Sequence, residues 1–175
     1  MFFIPGSVIG ALTFPGIIVH ETAHMFFCKM YKVPVFDVRF FGLDERGAYV
    51  IHGKTDSFLS TFMISMGPFF VNTLLCLLIC LPAYMPFSFF DLKQPLSYFL
   101  MWFGVSIGMH AIPSNQDASN VWNQALVEIK KLNPLAVISF PLMALIYLFN
   151  LLRFFWADLI YGVAIGIGIP SLIWS

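Results

Sequence analysis

The sequence predicts an all-α integral membrane protein with about five transmembrane helices and one small β-hairpin at the membrane interface. Three observations predict it. Of 175 residues, 59% are hydrophobic and 10% are charged, against roughly 25% charged in a soluble domain. The apolar residues gather in runs of helix length. The polar ones crowd into two intervals, 33–56 and 113–133. Nine basic and nine acidic side chains cancel, so no basic surface suggests a nucleic-acid partner.

The first segment covers about residues 2–31. Pro15-Gly16 lies inside it and should kink or restart the helix. No basic run precedes it, so it is expected to be a retained span and not a cleaved leader. Alternation over 35–40 and 48–51, with a turn at 44–47, predicts a β-hairpin. Hairpin backbone cannot face lipid and belongs at the interface or along a cavity. A second segment follows at about 58–85, with Gly67-Pro68 and Asn72 inside it, then a loop at 86–94. A third runs over about 95–112. The stretch 113–120 is too rich in Pro, Ser and Asn to continue a helix, and 121–131 reads as a short surface helix. Two further spans are expected at about 134–156 and 159–174. The chain thus reads as one membrane domain, 1–175, with a core over about 8–125 and two additional C-terminal helices.

Five spans put the termini on opposite sides. Lys29, Lys32, Arg39, Arg46, Lys54, Lys130 and Lys131 fall in connections on one side, and Lys93 and Arg153 on the other. The richer side is expected in the cytoplasm, with the N-terminus outside and the C-terminus inside.

His20-Glu21-Thr22-Ala23-His24 forms H-E-x-x-H in the first segment. On a helix His20 and His24 share a face and can hold one metal ion, with Glu21 placed as a general base toward a water. Two imidazoles and a carboxylate at membrane depth are costly, and such groups usually mark a working site. Cys28 continues the same series. It would lie about 12 Å along the helix from His20, whereas zinc–ligand bonds are about 2.0–2.3 Å, so it reads as a packing residue. With Cys76 and Cys80 it makes an odd count inside apolar helices, which argues against disulfides. A catalytic zinc usually has three protein ligands. Asp117, His110, His52 and the hairpin acids are candidates for the third. Asp117 is preferred because it follows the third segment on the side of His24. Its other reading is a cap for the following helix. His110 also reads as a second-layer residue and His52 as a hairpin surface residue near substrate.

These residues resemble the site-2 protease family of intramembrane zinc metalloproteases. That family carries H-E-x-x-H on one membrane helix, G-P-x-x-N on the next, and N-x-x-P-x-x-x-x-D-G on a later one. Here Gly67-Pro68-Phe-Phe-Val-Asn72 stands at the middle motif and His110-Ala-Ile-Pro113-Ser-Asn-Gln-Asp117-Ala118 at the last. His110 replaces the family's Asn, Asp117 lies one residue closer to its proline, Ala118 replaces Gly, and Asn72 comes one residue late. No PDZ or CBS segment is read in the sequence, so the resemblance is expected to be to a divergent, minimal branch of that family.

The resemblance implies one Zn2+ per chain on His20, His24 and Asp117. Glu21 would act as general base, and peptide hydrolysis would occur in or near a transmembrane segment of a membrane-protein substrate. Asn72 or Asn115 would donate to the tetrahedral intermediate, Asn72 having helix–helix packing as its alternative. Because a membrane helix must unwind before it is cut, the hairpin is expected to pair with it by strand addition along Val35, Val38, Tyr49 and Ile51. Partners are then the substrate and the bilayer, with room for an oligomer. Two other classes fit the same residues: a zinc-dependent hydrolase of a lipid-linked amide, and a metal-binding scaffold or transporter without hydrolysis.

Overall fold

The computed structural model describes residues 6–42, 47–90 and 94–174. They form a mainly helical protein with one two-stranded antiparallel sheet. The helices are α1 (Gly6–Leu12), α2 (Phe14–Met30), α3 (Phe58–Phe90), α4 (Pro95–Met109), α5 (Asn115–Glu128), α6 (Pro134–Leu152), α7 (Ala157–Val163) and α8 (Ile169–Ile173). A π-helical turn, Ala164–Gly168, makes α7 and α8 continuous.

The first segment restarts at Thr13. Its amide and hydroxyl both donate to Ile9 O, at 2.9 and 2.8 Å. Pro15 then sits in the first turn of α2, where a missing N–H is not needed. Strands β1 (Val35–Arg39) and β2 (Tyr49–His52) form the expected hairpin, with Asp37 opposite Ile51 and an irregularity at Phe36. Of its turn, 43–46 lie outside the described residues, and Gly47 has the positive φ of 61° that such a reversal favours. The loop expected at 86–94 is shorter, because α3 continues through Pro82 and Pro86 to Phe90. Residues 91–93 are outside the described set.

A larger departure concerns 113–120. Asn115 to Asn120 are helical, not irregular. Ser114 ends the preceding turn in an extended conformation and caps α5. Its side chain accepts from Asp117 N, while Asp117 accepts from Ser114 N. That reciprocal pair satisfies two orphan donors and starts a helix in a polar sequence.

At 33 residues, α3 is the axis of the molecule, about 50 Å long. Helix α2 lies antiparallel to it, with His24 beside Ile64 and Gly16 beside Asn72. Helix α4 is also antiparallel, with Gly104 against Cys80 and Gly108 against Cys76. Beyond a break at 110–114, α5 continues along α3. Ala118, Val121 and Ala125 pack between Phe58 and Met66 of α3 and Ala136, Met143 and Ile146 of α6. Helix α6 returns toward the break, and α7–α8 run on from it beside α4. There Tyr161 Oη meets Thr73 Oγ1, and Trp174 Nε1 donates to Leu81 O.

Among the described residues, two helices are long and apolar enough to cross a membrane by length and composition, Phe58–Pro86 and Pro134–Phe155. Pro95–Met109 and Ala157–Ile173 are apolar but shorter. The five-span layout is not what the helices show. Arg153, expected on the face opposite the hairpin, donates to Ile112 O at 3.0 Å and so lies at the α4–α5 break. Trp174, expected on the hairpin side, lies instead by Leu81, toward the other end of α3. Sequence reading missed this because α5 and α6 form a return pair packed on the first part of α3. A polar stretch at 113–120, a surface helix at 121–131 and a span at 134–156 were expected there. Helix α6 has the length and apolar character of that span, but its return to the α4–α5 break was not foreseen.

Candidate metal centre

Helix α2 presents His20 and His24 one turn apart. Each ring is fixed from behind by a backbone carbonyl. His24 Nδ1 is 2.8 Å from Ile64 O, and His20 Nδ1 is 2.6 Å from His110 O. A carbonyl only accepts, so each Nδ1 carries a proton, and in the neutral imidazole Nε2 is then the lone-pair atom. Both carbonyls are available for a sequence reason. Pro68 has no N–H to donate to Ile64 O four residues back. His110 caps α4, and the amide of Ser114, four residues on, turns to Asp117 instead.

Asp117 completes the cluster from the first turn of α5. Its Oδ2 accepts from Ser114 N at 2.9 Å and from Ser114 Oγ at 2.6 Å. Its Oδ1 is thereby turned to His24 Nε2, 3.6 Å away. The two Nε2 atoms are 3.2 Å apart, and the ligand atoms of His20, His24 and Asp117 all lie within 4.8 Å of one another. Three lone-pair acceptors pointed at one spot do not satisfy each other; a cation between them does. Bonds of about 2.0–2.2 Å in tetrahedral geometry place neighbouring N and O ligands roughly 3.4 Å apart. Two separations, 3.2 and 3.6 Å, bracket that value and the third, His20 to Asp117, is within 4.8 Å, so the cluster could hold a metal ion. Cys28 is fully buried among Phe27, Val33 and Ile64, outside this group.

Glu21 is buried and lines the same cavity of about 240 Å³ as the three ligands. The opposite wall is Ala48, Tyr49, Val50 and His52 of the hairpin, with Gln116 and Asn120 of α5. Of the four expected hairpin contacts, Tyr49 lines this cavity, whereas Val35 and Val38 lie on β1, away from it. Ile51 lines the adjoining groove. His52 does reach the cavity. Asn115 is exposed and does not. Asn72 is fully buried behind the site. Its Nδ2 lies 3.1–3.3 Å from the carbonyls of Gly16, Ile107 and His110. It therefore joins α2, α3 and α4, which is its packing role. His110 serves the centre through its carbonyl; its Nε2 is 2.8 Å from Thr13 Oγ1. Because that hydroxyl already donates to Ile9 O, the imidazole is the donor.

Several supporting residues had not been singled out. Ser114 was legible as S-x-x-D before a helix. Arg153 and Asn150 hold Ile112 O and Pro113 O, each at 3.0 Å, and so anchor the segment that carries Asp117. A cation near the end of an apolar run was their only signal. Comparison of the chain with protein-family models, curated proteins and solved structures gives no match.

Proposed function

We propose that this chain is an intramembrane zinc metalloprotease of the site-2 type, cutting a peptide bond in or near a transmembrane segment of a protein substrate. The observation that carries this reading is the convergence of His20 Nε2, His24 Nε2 and Asp117 Oδ1, with buried Glu21 in the same cavity. The two apolar helices of span length support membrane residence. Placing Arg153 beside the metal centre adds to the positive charge on that side, which favours a cytoplasmic position for the centre.

Zinc held by this set would supply a Lewis acid that acidifies a water in the open position. The Glu21 carboxylate would take the proton of the attacking water and pass it to the leaving amine as the C–N bond breaks. Ile64 O and His110 O keep both imidazoles in one tautomer throughout. The hairpin wall supplies strand β2, whose edge away from β1 has no strand partner among the described residues, as a surface for an unwound substrate.

The test is purified protein incubated with a panel of single-span substrates, with and without chelator. Wild type should contain about one zinc and cleave; Glu21→Gln should keep the metal and lose at least about a hundredfold in rate. Near wild-type cleavage by Glu21→Gln would end this mechanism. Cleavage confined to lipid-linked amides would support the non-protein hydrolase.

A further inference from the structure

A second, larger groove of about 790 Å³ opens beside the metal cavity. The two share Val50, His52, Gln116 and Asn120 as lining, so one leads into the other. One wall is β2 and the segment to Asp56; the other is a stripe of α5 running Gln116, Asn120, Asn123, Gln124, Glu128. Gln116 lies four residues before Asn120, Asn123 and Gln124 lie three and four after it, and Glu128 lies four after Gln124, so all five share a helix face. The opposite face, Ala118, Val121 and Ala125, has no exposure and provides the packing.

The chemistry of this stripe is specific. Side-chain amides carry a donor and an acceptor without charge, as a peptide unit does. Gln116 Nε2 donates to Asn120 Oδ1 at 3.0 Å, which leaves Asn120 Nδ2 to point elsewhere. Gln124 is tied to Thr55 O and Thr61 Oγ1 and forms the floor. Lys54 and Lys131 are matched by Asp56 and Glu128, and Lys131 Nζ is 2.5 Å from Glu128 Oε1. That contact, with Asn133, holds the Glu128 carboxyl below its ordinary range. The lining therefore has no net charge with which to select an anionic headgroup. From Gln116 to Glu128 the stripe is about 18 Å long, room for about five extended residues.

We propose that this groove binds an extended, uncharged polar segment of the substrate polypeptide, lying on the water side of the cut and delivering the adjacent peptide bond to the metal centre. The inference rests on the proteolytic reading. It assigns substrate choice partly to sequence outside the membrane: a substrate needs an unstructured flank of about five residues next to its span. Charged flanks are disfavoured, because the two cations and two carboxylates of the lining cancel and leave no net counter-charge.

Two single-span probes test it, identical in the helix. One carries a six-residue Gly/Asn/Ser flank and the other a two-residue flank. Binding is read by fluorescence anisotropy on zinc-loaded Glu21→Gln in nanodiscs, and cleavage on the wild type. The long flank should bind about tenfold more tightly, as one or two additional hydrogen bonds allow. Asn123→Trp fills the groove at an exposed position remote from the ligands. It should raise KM for the long-flank probe about tenfold, leaving kcat, zinc content and the short-flank probe unchanged. Equal binding of the two probes, or a silent Asn123→Trp, overturns the proposal. A flank effect on binding with no cleavage of either probe by wild type sinks the protease reading and leaves the groove assignment standing.

Discussion

Asp117 is held by the same serine that starts its helix, and this can be taken apart by two substitutions. Ser114→Ala removes the hydroxyl that accepts from Asp117 N at 3.1 Å and donates to Oδ2 at 2.6 Å. Loss of the cap should cost about 1 kcal/mol, a fall in Tm of about 3 °C for a chain of this length. The backbone donor Ser114 N still reaches Oδ2 at 2.9 Å. The loss of metal affinity should therefore fall at the low end for outer-layer residues, about tenfold, or roughly 1.4 kcal/mol. Ser114→Gly separates the two effects. Glycine caps a helix within a few tenths of a kcal/mol of serine, but it supplies no hydroxyl to Oδ2. It should leave the melting of chelator-treated protein near wild type and still weaken zinc about tenfold. Both quantities can be read in detergent, by thermal melting of the metal-free protein and by zinc competition against a chromophoric chelator. Wild-type zinc affinity in both variants would refute the claim that the capping box orients the carboxylate.

Pro68→Ala restores an N–H that can claim Ile64 O. It should weaken zinc about tenfold while α3 keeps its helicity by circular dichroism; unchanged affinity would mean His24 does not need that carbonyl. Arg153→Met keeps an unbranched apolar stem but loses the donor to Ile112 O, so zinc Kd should rise with partial recovery in Arg153→Lys. Equal Kd in all three proteins would remove Arg153 from the support of Asp117. Leu12→Cys and Trp102→Cys, joined by a bifunctional thiol reagent, should tie the α1–α2 junction to α4 without slowing cleavage. A large loss of turnover on joining would show that these helices must part.

The His20–His24 half of the candidate cluster was legible because metal chemistry demands lone pairs at helical spacing, and two histidines one turn apart are unusual in an apolar run. Asp117 was legible as a candidate third member of the cluster, but its structural setting was not. The polar composition of 113–120 suggested a loop, whereas a single reciprocal cap at Ser114 makes it helical. Local hydrogen bonding outweighed composition there. The role of Pro68 was visible only as a family pattern. Its physical reason, a carbonyl freed four residues earlier, needs the position of His24 in space. The return of α6 to the α4–α5 break was hidden because hydropathy records that a helix is apolar, not where it lies. Arg153 then fell on the wrong side of the charge count.

The carbonyl of His110 is a shared latch. It receives His20 Nδ1 from α2 and lies 3.2 Å from Asn72 Nδ2 of α3, while its own chain ends α4. Nearby, Gly16 lets α2 press so close to α4 that an added Cβ would collide with Ser106 O. Parting α2 from α4 would pull away the group that aims His20, so a loaded centre and an open seam between those helices exclude each other. Under the proposed proteolytic function, the doorway for a substrate would therefore be on the other flank, between the hairpin and α5, which line one cavity together. A membrane-embedded chain cut by such an enzyme would have to arrive there sideways and already uncoiled, which would make loosening of its helix a condition of entry and not a consequence of it.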